Sequence, residues 1–334
     1  MTGLERIRRA VRFEPTDRVP VVPLLGAHAA TLAGIPHQRA CRDPAAQAEA
    51  LLAAVHAYRP DAIFTLMDLT AEPEALGAAV EVRPGQPPVV TGYLPREALD
   101  TDALERRILT ARVPVFVETV SRLRKSLGDS VLVGALICGP LTAAANALGI
   151  ETLSRMLRRD RDLLSRLLDR LGAAVTALLQ RHADAGAHAV MLLEPVATTA
   201  ILGPRDLEAL LLPSLRDINR AAREAAVLSM LHICGDCRAS LSLLGDSGAD
   251  VLSLDSPVDL PAAKDAIGRS AALMGNLDVR RLLPCGSPAS VYDSARDLVS
   301  AMGRSGGFIL GTGCELPADT PRENVARLLA AARP

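Results

Sequence analysis

The most specific chemistry in this 334-residue chain is carried by one histidine and two cysteines, His232, Cys234 and Cys314. His232 and Cys234 flank Ile233. On an extended backbone, residues two apart project to the same side, so an imidazole and a thiol can meet one ion. Cys314 lies in a second glycine-rich segment, GTGCELP. Two thiolates and a neutral imidazole suit Zn²⁺, and three protein ligands leave a fourth position for a substrate. A bound cation holds a ligating thiol as the thiolate, its nucleophilic form. The competing reading makes Cys234 and Cys314 small buried residues and His232 a satisfied core histidine. The glycine-rich turns CGDC and GTGCELP, which expose the side chains, favour the ligand reading. Cys237 forms a C-x-x-C pair with Cys234, but a turn after Gly235 predicts that Cys237 begins the next helix. Cys41, Cys138 and Cys285 are scattered and read as structural.

These residues need a scaffold, and the apolar runs supply one. Eight runs read as strands: Val19–Leu25, Ala62–Leu69, Val131–Cys138, His188–Leu193, Val227–His232, Val251–Asp255, Ala271–Leu277 and Gly307–Gly311. Three are introduced by related phrases, DAGAHAVMLLEP (184–195), DSGADVLSLDSP (246–257) and RSGGFILGTGC (304–314). In each, a glycine-containing turn follows an amphipathic stretch, as a helix C-cap before a buried strand requires. Glu151–Arg181 and Pro204–Glu224 have apolar residues at helical spacing. The pattern predicts an α/β fold, a single (β/α)₈ TIM barrel over 1–334. An N-terminal helix lies within the first 18 residues, and a hairpin is inserted around Val80–Tyr93, where the sequence reads EVRPGQPPVVTGY.

In such a barrel the active site lies at the C-terminal ends of the strands. The polar residues ending the runs are Glu194, His232, Cys234, Asp255, Asn276, Asp278 and Cys314. Glu194 either approaches the ion, where it could be a fourth ligand displaced by an incoming thiol, or caps a helix. Asp255 and Asn276 either orient ligands and substrate or make simple strand-end hydrogen bonds. His188 begins its strand and belongs to the opposite, stability face; His28 and Asp68 are candidate substrate contacts.

Composition excludes other classes. With 37 Lys+Arg against 38 Asp+Glu, three Tyr, four Phe and no Trp, the chain lacks the basic footprint and stacking platforms that nucleic acid requires. A mean hydropathy of +0.22 excludes disorder. The uncharged stretch Val131–Ile150 is long enough for a membrane span, but Gly139-Pro140 breaks it and Thr142 and Asn146 are polar, so a buried strand and helix start is expected and no membrane partner. The first residues lack an apolar signal region. With six Cys and no such signal, reduced thiols in a cytoplasmic protein are expected.

HICG (232–235), LSLDSPVDL (252–260), MGNLD (274–278) and FILGTGCELPADTPRENV (308–325) resemble the uroporphyrinogen decarboxylase superfamily. The H-x-C and GC pair is similar to its zinc-dependent methylcobamide:coenzyme M methyltransferase branch. RVPVVP (18–23), GPLT (139–142) and EPVATTAILGP (194–204) extend the likeness over nearly the whole chain. The resemblance implies a (β/α)₈ barrel with zinc held by His232, Cys234 and Cys314. It also implies methyl transfer between a methylated corrinoid (methylcobalamin) on a separate protein and a small thiol activated as zinc thiolate. The cobalamin motif D-x-H-x-x-G does not occur here, so the corrinoid protein would dock at the barrel mouth. Decarboxylases of the superfamily need no metal and grip a polycarboxylate with an Arg-rich loop after the first strand. The corresponding PLLGAHAA (23–30) has no Arg, which disfavours tetrapyrrole decarboxylation. A metal-independent decarboxylase or lyase acting on another carboxylated substrate is the alternative. The methyl acceptor stays open among coenzyme M, another thiol such as homocysteine, and tetrahydrofolate in the demethylating direction.

Overall fold

Strands that are apolar on both sides must be covered on both faces, which is the situation of parallel strands wrapped by helices. The computed structural model describes residues 1–83, 86–303 and 306–333. It contains the strands β1 (Val21–Leu24), β2 (Ala62–Phe64), β3 (Ala79–Glu81), β4 (Val89–Gly92), β5 (Leu132–Cys138), β6 (Ala189–Leu193), β7 (Leu228–Ile233), β8 (Val251–Leu254), β9 (Ala272–Leu277) and β10 (Phe308–Glu315). Eight of them run parallel in the order β1-β10-β9-β8-β7-β6-β5-β2, and each expected run supplies one. At the seam, Asp61 N donates to Val21 O at 3.0 Å and Val21 N to Asp61 Oδ2 at 2.7 Å, which brings β1 beside β2 and nearly closes the barrel.

The second run is shorter than expected: Thr65 N still donates to Gly134 O at 3.1 Å, and beyond it the chain leaves the ladder. Leu136 N donates to Thr65 Oγ1 at 3.0 Å, a side chain standing in for the next backbone acceptor. Met191, Met230, Val251, Met274 and Ile309 fill the barrel interior. The helix Gly3–Val11, capped by Thr2, closes the floor with Leu4 and Ile7, while Arg6 and Arg18 both pair with buried Asp61. The hairpin forms as β3 and β4, antiparallel. Its Pro84 and Gly85, Arg304 and Ser305 of the third introducing phrase, and Pro334 lie outside the described residues.

Two helices depart from expectation. The Glu151–Arg181 pattern is broken at Asp160 into Ile150–Arg159 and Arg161–Asp184. The run Arg158–Asp162 offers no apolar residue to bury, and the Asp160 carboxylate turns outward to Arg96 at 3.0 Å. Within Pro204–Glu224 the turn Leu207–Leu211 widens to π-helical spacing ahead of Pro213, whose missing N–H and bulky ring do not fit a regular turn. Among the described residues, no helix is long and apolar enough to cross a membrane.

Candidate functional site

Alternation along β7 and β8 builds the site. Met230 pairs with Val251 and His232 with Ser253, so the two inward columns climb from the apolar interior to a polar rim. His232 is buried, and its Nδ1 lies 3.1 Å from Ser253 Oγ. Its Nε2 is buried with no hydrogen-bond partner. Cys234 lies two residues further up. Cys314 arrives from β10, where Val22 faces Gly311 but Leu24 faces Glu315, a jump in pairing that breaks the strand's alternation just before the cysteine. The ligand atoms of His232, Cys234 and Cys314 all lie within 4.8 Å of one another. A bare imidazole nitrogen beside two thiols is a soft nitrogen–sulfur donor set that fits Zn²⁺. The cysteines are half-buried, which leaves an approach from the mouth. The neighbouring Cys314 thiol pulls the Cys234 thiol down, and Cys314 is in turn pushed up by Cys234.

Asp255 braces this group. Its Oδ2 accepts from Gly235 N at 2.8 Å and sits 3.4 Å from Cys234 Sγ, while Oδ1 accepts from Ser256 N at 2.6 Å. Gly235 turns at φ +87°, a conformation that favours glycine and takes the chain away immediately after Cys234. Asn276 Nδ2 donates to Asp255 O at 3.1 Å and Val258 O at 2.6 Å, pinning the loop that follows β8.

Glu194 stands on the first turn of the helix Pro140–Leu148. It accepts from Leu141 N at 3.0 Å, Thr142 N at 2.9 Å and Thr142 Oγ1 at 2.7 Å, and it does not belong to the group within 4.8 Å. Burial pushes its carboxyl up to about 7 against the pull of these donors. Gly139 leaves room for it, since a Cβ there would lie 2.2 Å from Oε1.

The other candidates have partners of their own outside the His232–Cys234–Cys314 group. Asp68 is taken by buried Arg112 and by Thr70, whose N donates at 2.9 Å. His28 Nε2 meets Tyr58 Oη at 2.8 Å. His188 sits at the lower end of β6, accepting from Val133 N at 3.0 Å. Asp278 Oδ1 accepts from Arg280 N at 2.7 Å and closes a turn. Cys237 is buried beside the short helical turn Arg238–Ser240, its thiol pushed up to about 12 by burial.

Sequence reasoning missed Ser253 and Glu315. The first was legible as the inward residue two before Asp255. The second follows Cys314, and its Oε1 accepts from Ala27 N and Met67 N, both at 3.2 Å, tying the loops after β1 and β2 to β10.

A family model described as uroporphyrinogen decarboxylase (URO-D) matches residues 2–334. The chain belongs to the uroporphyrinogen decarboxylase family. Its family relatives include a methylated-thiol–coenzyme M methyltransferase of Methanosarcina mazei, 30% identical over 81% of this chain and 70% of the relative. A methylcobamide:CoM methyltransferase of Methanosarcina acetivorans is 26% identical over 99% of this chain and 98% of its own length. A solved structure of a methyltransferase from Methanosarcina mazei superposes with a TM-score of 0.92 at 26% identity, covering 99% of this chain and 98% of that one. Within the family, the likeness to the methyltransferase branch read from the H-x-C and GC segments agrees with these relatives.

Proposed function

We propose that this protein transfers a methyl group from a methylated corrinoid, carried by a partner protein docked at the barrel mouth, to a small thiol. The observation that carries the reading is the convergence of His232, Cys234 and Cys314 within 4.8 Å at the C-terminal end of the barrel. His232 Nε2 and the two cysteine sulfurs would hold zinc. Bound there, the ion supplies the positive charge that lets an incoming thiol lose its proton near neutral pH. With its proton given up to solvent, the acceptor sulfur would attack the methyl carbon, forming the carbon–sulfur bond as the carbon–cobalt bond breaks with its electron pair left on cobalt.

The chain's own residues prepare that encounter. Asp255 fixes the Cys234–Gly235 turn and Asn276 fixes Asp255's loop. Glu194 anchors the first turn of Pro140–Leu148. All three act by holding shape. The test is a spectral titration of methylcobalamin with a thiol and the protein: thiol-dependent loss of the methylcobalt spectrum, abolished by chelation, is expected. Unchanged methylcobalamin would contradict the proposal, and decarboxylation of a carboxylated substrate that survives chelation would point to the metal-independent alternative.

A further inference from the structure

The geometry points to Ser253 as the positioning residue that holds the His232 ring with Nε2 turned to Cys234 and Cys314, an inference that rests on the metal site proposed above. The two residues are register partners on adjacent parallel strands, both fully enclosed, with Nδ1 and Oγ 3.1 Å apart. The inward column of β8 below Ser253 is apolar, beginning with Val251, and the outward neighbours Leu252 and Leu254 belong to the core. A hydroxyl in such surroundings is costly without a partner, and the imidazole is the partner its geometry provides. A neutral imidazole carries its proton on one nitrogen only. A serine hydroxyl can donate to Nδ1 or accept from it, so the contact fixes the orientation of the ring, with Nε2 turned to Cys234 and Cys314. An ion on Nε2 would leave the proton on Nδ1, where Ser253 Oγ accepts it. The serine therefore holds the ring as the hydrogen-bonding partners of other ligating histidines do.

Two measurements decide this. In ¹⁵N-labelled metal-free protein, the His232 ring resonances should move in Ser253→Ala, and in the zinc-loaded wild type the ring proton should sit on Nδ1. In zinc competition against a chromophoric chelator, Ser253→Ala should weaken binding roughly 10- to 100-fold. Ser253→Thr, which keeps the hydroxyl, should stay within about threefold of wild type by the same reasoning. Zinc held through Nδ1 in wild type overturns the inference, as does Ser253→Ala binding zinc like wild type. A wild-type chain that fails to bind zinc would contradict the proposed function instead, while unchanged ring resonances in metal-free Ser253→Ala would still overturn the role of Ser253.

Discussion

Cys234 and Asp255 stand side by side at the tops of adjacent strands, Sγ 3.4 Å from Oδ2, and the same oxygen accepts the Gly235 amide at 2.8 Å. One carboxylate thus fixes both the Cys234 thiol and the turn that carries the backbone away from it.

Replacing Asp255 by Asn turns one acceptor into a donor facing N–H groups of Gly235 or Ser256. An unsatisfied buried group of this kind costs about 1–3 kcal/mol. Urea unfolding of Asp255→Asn should show that loss, and zinc competition should show weakened binding. Unchanged values in both would remove Asp255 from the account.

Glu194 and Gly139 form a matched pair across β5 and β6. A methyl group at 139 would overlap the carboxylate at 2.2 Å, so Gly139→Ala should destabilise strongly. Much of that cost should vanish in a Glu194→Ala background, because the clashing group is gone. Glu194→Gln alone, meeting three donors with one oxygen, should cost about 1–3 kcal/mol. Urea midpoints of the single and double variants measure the coupling; strict additivity would refute the contact.

The barrel was legible because its strands are short apolar runs that end in turn residues and alternate with helical patterns, and the candidate trio because His232 and Cys234 share strand parity. Cys314 was legible only from its glycine-rich segment, since its direction depends on the pairing jump in β10, which no alternation rule anticipates. The roles of Glu194 and Glu315 depend on loops distant in sequence, the first turn at Leu141 and Thr142 and the amides of Ala27 and Met67. The break at Asp160 was masked because helical periodicity persists on both sides of it; its signal was the polar run Arg158–Asp162, which offers no apolar residue to bury.

His182 supplies a pH prediction away from the site. Wholly buried on Arg161–Asp184, it is driven by burial from the usual histidine value down to about 3. The fold therefore favours the neutral ring. Its contribution to stability is complete above about 6.5 and is lost as pH falls towards 3. Between pH 7 and pH 5 the wild type should lose about 2 kcal/mol through this residue, by the linkage relation. His182→Leu should lose correspondingly less over the same interval. Parallel pH profiles of urea stability for the two proteins would contradict the assignment.

The central claim is that His232, Cys234 and Cys314 together hold one zinc ion, and the zinc content of purified protein tests it most directly. Wild type should contain about one zinc per chain, and His232→Ala and Cys314→Ser, prepared identically, should lose most of it. Wild type without zinc after metal supplementation, or variants that retain it fully, would contradict the account.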